Sequence, residues 1–160
     1  LDRRASAYGL EGFERAVSAT LSALIAGWNH EDALRLVTTE PTTITNIHSL
    51  TELDLIDDQF ATMRSVNNAV TAKSSLINTL QDLSRRTRGG TLVVVTGAPE
   101  KDLAAVMVGL RRRYRNTIVV TCEPTTMSAI VGHVRHDGAA DPVTEWHNIV
   151  RQPAAQGASV

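Results

Sequence analysis

The stretch TLVVVTGAP, residues 91–99, constrains this chain more than any other. Thr91 to Val95 are all apolar or β-branched and do not alternate with polar residues, and Gly97 and Pro99 then break the run. A strand with one face in water alternates, whereas a run of this kind belongs to a strand covered on both faces. TIVVTC at 117–122 repeats the pattern. Between the two, Leu103, Val106, Met107, Leu110 and Tyr114 recur at helical spacing, which predicts a helix near Lys101 to Arg113. Strand, helix and strand in this order form a right-handed crossover between parallel neighbours. The predicted fold is therefore α/β: three layers, with a doubly wound, mostly parallel, Rossmann-like sheet between helices.

The rest of the chain fits that frame. Leu10, Phe13, Val17, Leu21, Leu24 and Trp28 mark a long amphipathic helix. ALRLVTT and TITNIH read as strands, and too few residues separate them for a crossover. They should pair antiparallel, with the antiparallel edge strand near Thr43–Ile47. SLTE places Ser49 at an N-cap and Glu52 three residues on, a capping box. Leu53, Ile56, Phe60 and Met63 carry that helix's apolar face. Leu76, Ile77, Leu80 and Leu83 mark another helix, which stops near RGG. TTMSAIVG is ambiguous, HVRH reads as an edge strand, and Asp141 with Pro142 starts a last helix. Leu1 followed at once by Asp2 looks like the end of a first strand. The expected domain covers 1–151 without most of that strand, and 152–160 is expected to be a disordered tail.

With 160 residues, 42% of them hydrophobic and 21% charged, the chain has the make-up of one soluble domain that buries a core without staples. A net charge of −1 argues against a general polyanion binder, so no nucleic-acid partner is expected. The single cysteine, Cys122, excludes an internal disulfide and fits a reducing, cytoplasmic setting. No apolar run is long enough to span a membrane.

Motifs for catalysis are missing. GAPEKD follows a strand and precedes a helix but lacks the second glycine and the Lys-Ser/Thr ending of a phosphate loop, and no dinucleotide glycine pattern is present. His133 and His136 would point to opposite faces of a strand, which suits surface positions better than one metal. Cys122 reads as a small core hydrophobe with no base at a recognisable spacing. The arginines of SRRTRGG and LRRRYRN sit at helix C-terminal ends, where they complement the helix dipole, while acids gather in NHED and TELDLIDD. Asp2 and Ser6, on the loop after a first strand, are expected to share one rim with Thr96 at the end of another, and oxygen ligands of this type suit Mg²⁺.

LDRR, GFERAVSA, RLVTT and GGTLVVVTG together resemble the C-terminal, von Willebrand factor type A-like domain of the bacterial family labelled domain of unknown function fifty-eight. The resemblance covers roughly Leu1 to Val120. It implies a partner, a MoxR-type AAA+ ATPase, and a role in assembly or maturation of a protein complex. It also implies longer forms with membrane helices ahead of this cytoplasmic domain. Type A domains often bind a metal through Asp-x-Ser-x-Ser, a distant Thr and Thr-Asp-Gly. Here Asp2 and Ser6 match the outer positions, Arg4 replaces the middle serine with a cation that can pair with Asp2 instead and leave it a relic that salt-bridges or caps, Thr96 and Gly97 stand without the Asp, and Thr71 is the candidate distant Thr. The resemblance thus implies a degenerate metal remnant at Asp2, Ser6 and Thr96, and a partner-binding rim of Asp2, Arg4, Ser6, Thr71, Thr96, Gly97 and Lys101.

The expected function is a non-enzymatic protein-interaction domain without a cofactor. A Mg²⁺-dependent adhesion-type binder is the first alternative, and a small α/β hydrolase or nucleotide-binding domain the second. Fold alone does not choose among them.

Overall fold

In the computed structural model, which describes residues 1–39, 42–66, 75–124 and 133–136, the two unbroken apolar runs lie side by side. β3 (Thr91–Thr96) and β4 (Asn116–Thr121) pair in parallel from Thr91↔Asn116 to Thr96↔Thr121, and β5 (His133–Arg135) adds to β4, also in parallel. Ahead of them, β1 (Leu34–Thr38) and β2 (Thr43–Ile47) form an antiparallel pair from Leu34↔Ile47 to Thr38↔Thr43. Among the described residues the chain is a mixed α/β protein with four helices and two small sheets: α1 (Gly12–Asn29), α2 (Leu50–Thr62), α3 (Ser75–Arg86) and α4 (Leu103–Leu110). A single 3₁₀ turn, η1 (Ala5–Ala7), precedes α1.

The missing alternation in β3 and β4 has the expected cause. Val94 and Val119 pack on one side with Leu76 and Leu80 of α3 and Leu103, Met107 and Leu110 of α4. Val95, Ile118 and Val120 pack on the other side with Ala16 of α1, Cys122 and Val134. A third cluster joins Leu24 of α1 to Leu36, Ile47, Leu53, Ile56 and Phe60, so α1 serves both sheets. This breadth explains why Ala16 and Thr20 are buried beside Phe13 and Leu24, while Val17, Leu21 and Trp28 are only half-buried.

The helix ends follow local chemistry. Ser49 Oγ accepts from Glu52 N–H at 3.2 Å, and the Glu52 carboxylate accepts from Ser49 N–H at 3.1 Å, which closes the capping box at α2. Gly89 and Gly90 both adopt positive φ on the way into β3, where a side chain would be strained. Two expectations need correction. Leu10 belongs to no buried stripe, because α1 begins at Gly12 and Leu10 is fully exposed. α4 is shorter than its apolar spacing implied: Arg111–Arg113 form a turn. TTMSAIVG, the Asp141–Pro142 helix start, the 152–160 tail and Thr71 lie outside the described residues.

The beginning of the chain runs between the two sheets. The Leu1 amine donates to Val37 O at 2.7 Å, Thr39 N–H donates to Leu1 O at 3.1 Å, and Asp2 N–H donates to Val95 O at 2.9 Å. One short segment thus bonds to the β1 end on one side and to β3 on the other.

Candidate functional site

Those backbone bonds deliver Asp2 to a point between the C-terminal ends of β1 and β3, where its side chain is completely buried. A buried carboxylate is costly unless its oxygens are bonded and its charge is matched. Both conditions are met within the chain. Oδ1 accepts from Arg4 N–H at 3.2 Å, Arg4 Nε at 3.0 Å and the Thr39 hydroxyl at 3.4 Å. Oδ2 accepts from an Arg4 terminal nitrogen at 2.6 Å, from Arg4 Nε at 3.2 Å and from the Thr96 hydroxyl at 2.7 Å.

Arg4 is itself buried at 6% exposure, and its other terminal nitrogen donates to Glu100. Its guanidinium lies across the Asp2 carboxylate like a fork. Burial works against the cation, but the hydrogen bond and charge of Asp2, together with Glu100, hold its pKa above the ordinary value. Burial raises the Glu100 carboxyl, and Arg4 offsets only part of that effect.

The surrounding loops lock this arrangement. The Tyr8 hydroxyl donates to Asp2 O at 2.5 Å, and burial first, then the Asp2 charge, keep that phenol protonated. Thr39 Oγ1 accepts from Arg3 N–H at 2.9 Å. Val66 N–H donates to Arg3 O at 2.7 Å, and Ala5 N–H donates to Val66 O at 2.9 Å. Gly97 is required by close approach: a Cβ there would lie 1.9 Å from Ala7 O and 2.7 Å from the Tyr8 ring. Ala98 N–H accordingly reaches Ala7 O at 2.6 Å.

A second polar group ties the loop after β4 to the start of α1. Glu123 accepts from Gly9 N–H at 2.8 Å and faces Arg15 at 3.7 Å, while Arg15 also donates to Cys122 O at 3.1 Å. Burial pushes the Cys122 thiol up to about 12, so it stays protonated at neutral pH and packs as an apolar group.

Of the residues singled out from the sequence, the fold brings Asp2, Arg4, Thr96 and Gly97 together. Ser6 is on η1, exposed, and no hydrogen bond joins it to Asp2. Lys101 is exposed on the turn before α4. Arg4 points inward, so it is not a docking side chain on the rim. Thr39 and Glu100 were missed. Thr39 had a faint signal, a second threonine just past a strand that otherwise alternates, whereas nothing in GAPEKD marks Glu100 as a partner of Arg4. Among the described residues, no three His, Cys, Asp or Glu side chains gather where they could hold a metal ion. Comparisons with protein families, curated proteins and solved structures find no match to this chain.

Proposed function

We propose that this is a non-enzymatic interaction domain that docks another protein at the loop rim around η1 and the β3–α4 turn, and that the partner is a MoxR-type AAA+ ATPase or the client it remodels. The observation that carries this reading is the closed Asp2–Arg4 pair. Among the described residues, Asp2 is the deeply buried carboxylate at the rim, and both its oxygens are engaged by its own chain, so it serves the fold. A hard divalent cation needs several oxygen ligands facing it, and here a guanidinium lies where it would sit. The Mg²⁺-dependent alternative is therefore disfavoured, and no Mg²⁺ or other cofactor forms part of the proposal.

The same reading takes the two sheets and the Leu1–Asp2 segment between them as one three-layer, doubly wound sheet of the von Willebrand factor type A kind, with β2 as its antiparallel edge. The bonds from Leu1 and Asp2 to both sides support it. Around the closed pair, exposed Leu10, Ser6, Ala98 and Lys101 offer a mixed apolar and charged surface on loops held by a rigid sheet. No described helix is long and apolar enough to cross a membrane, and docking is proposed to occur in the cytoplasm.

The test is direct titration of the purified domain with the MoxR-type ATPase of its own source. Binding should weaken as salt rises, because exposed charges act through a screened field. Lys101→Glu and Leu10→Ser should each weaken it about tenfold, a loss of about 1.4 kcal/mol. Absence of binding at low salt, or unchanged affinity in both variants, overturns the proposal.

A further inference from the structure

The sequence places two arginine clusters at two helix ends, and the fold brings them together. The end of α3 and the loop after it carry Arg85, Arg86 and Arg88. The turn after α4 carries Arg111, Arg112, Arg113 and Arg115. These loops lead into β3 and β4, which start side by side at Thr91↔Asn116. Half of the chain's arginines therefore stand at one end of the sheet, opposite the Asp2 rim at the strands' C-terminal ends. The net charge of −1 averages over this concentration and hides it.

The two loops form one platform. Gly89 N–H donates to Arg113 O at 2.7 Å, and Arg115 N–H donates to Gly90 O at 2.9 Å. The Tyr114 hydroxyl meets that of Thr87, which donates to Leu83 O at 2.8 Å. The arginines are exposed apart from Arg113, which is half-buried. A helix dipole acts within the last turn, so it accounts for Arg85, Arg86 and Arg111 but not for Arg88, Arg113 and Arg115 beyond. Asp82 lies 3.6 Å from Arg85. Among the described residues, no acid comes within ion-pair distance of Arg86, Arg88, Arg112, Arg113 or Arg115. Cations held this close repel one another, and an anion laid across both loops relieves that repulsion.

We propose that this platform is a second docking surface, and that it takes an extended acidic segment of a partner protein, about six residues long. A guanidinium fork matches a carboxylate through two parallel hydrogen bonds. An extended segment advances about 3.3 Å per residue, so it offers carboxylates as closely spaced as the arginines of neighbouring loops. The platform is also narrow. α1 and α3 cover opposite faces of β3 and β4, and each brings acids: Asp82 on α3, and exposed Glu31 and Asp32 after α1. Asp32 and Thr91 border the same space, so these acids lie at the arginine end. A bilayer or a nucleic-acid duplex is broad enough to meet them, whereas a single segment passes between them. Tyr114, the one aromatic residue of the two loops, is half-buried and tied to Thr87, so it offers no stacking face for single-stranded bases. A second copy would present only Asp54, Asp57 and Asp58 on the exposed side of α2, too few to match the platform. The inference does not depend on docking at the rim.

Fluorescence anisotropy with labelled hexaglutamate tests it. The peptide should bind at about 25 mM salt, and its affinity should fall at least about tenfold by about 200 mM as screening grows. Arg86→Glu with Arg88→Glu, and separately Arg112→Glu with Arg115→Glu, should each weaken binding at least about tenfold, because both loops contribute. Arg64→Glu, exposed beside Arg3 at the other end of the protein, should change it less than about twofold. If a reversal unfolds the protein, Arg88→Gln with Arg112→Gln should still weaken binding at least about fivefold. Absence of binding at low salt, or reversals no more harmful than Arg64→Glu, overturn the proposal. Tighter binding of a DNA duplex or of phosphatidylserine vesicles, per unit of ligand charge, overturns it in favour of a phosphate surface. Salt-sensitive self-association of the chain alone, lost in both reversals, overturns it in favour of a second copy.

Discussion

The gap between β1 and β3 has two ends, built from the same kind of backbone and finished in opposite ways. At the end near Asp2 the lining is polar, and every oxygen of the carboxylate has a partner in Arg4, Thr39 or Thr96. At the other end Leu and Val residues predominate around a cavity of about 360 Å³, with Thr20, His30, Asp32 and Arg35 also in its walls. The contrast teaches that polar burial demands local completion, since an unmatched charge there costs several kcal/mol. A mostly apolar cavity is cheaper to keep, because a void forfeits dispersion contacts but leaves no bare charge.

The sharpest way to break this contrast is to remove the anion. Asp2→Ala leaves Arg4 buried with only Glu100 beside it and should destabilise the fold by about 3–5 kcal/mol, measured by denaturant unfolding. A loss below about 1 kcal/mol would mean that the polar end is not closed as described. Next in size is Leu80→Ala at the apolar end. Leu80 is 3% exposed yet borders the cavity, so its loss should cost about 2 kcal/mol. Leu103→Ala, at 0% exposure and away from the cavity, should cost about 4. Equal costs would show that the cavity does not relieve its lining.

Much of the frame was legible in the sequence. Unbroken apolar runs located β3 and β4, and Ser49 with Glu52 located the start of α2, because these signals are local. Leu10 misled because its spacing from Phe13 matches a helix that in fact starts after it. The site was half legible. Asp2, Arg4 and Thr96 stood out at strand ends, and a cation two residues from Asp2 pointed to their pairing, but the second contact of Arg4, with Glu100, is distant in sequence. Thr39 joins only because β1 ends beside Leu1. Such pairings are set by tertiary packing, and spacing along the chain carries no trace of them.

The central claim is that the Asp2 carboxylate is engaged inside the fold and leaves the rim free to bind protein. Calorimetric titration with Mg²⁺ tests it most directly. The account predicts binding no tighter than about millimolar, the weak end of hard-cation sites. Micromolar binding that disappears in a folded Asp2→Asn variant would contradict it and make the rim a metal-dependent site.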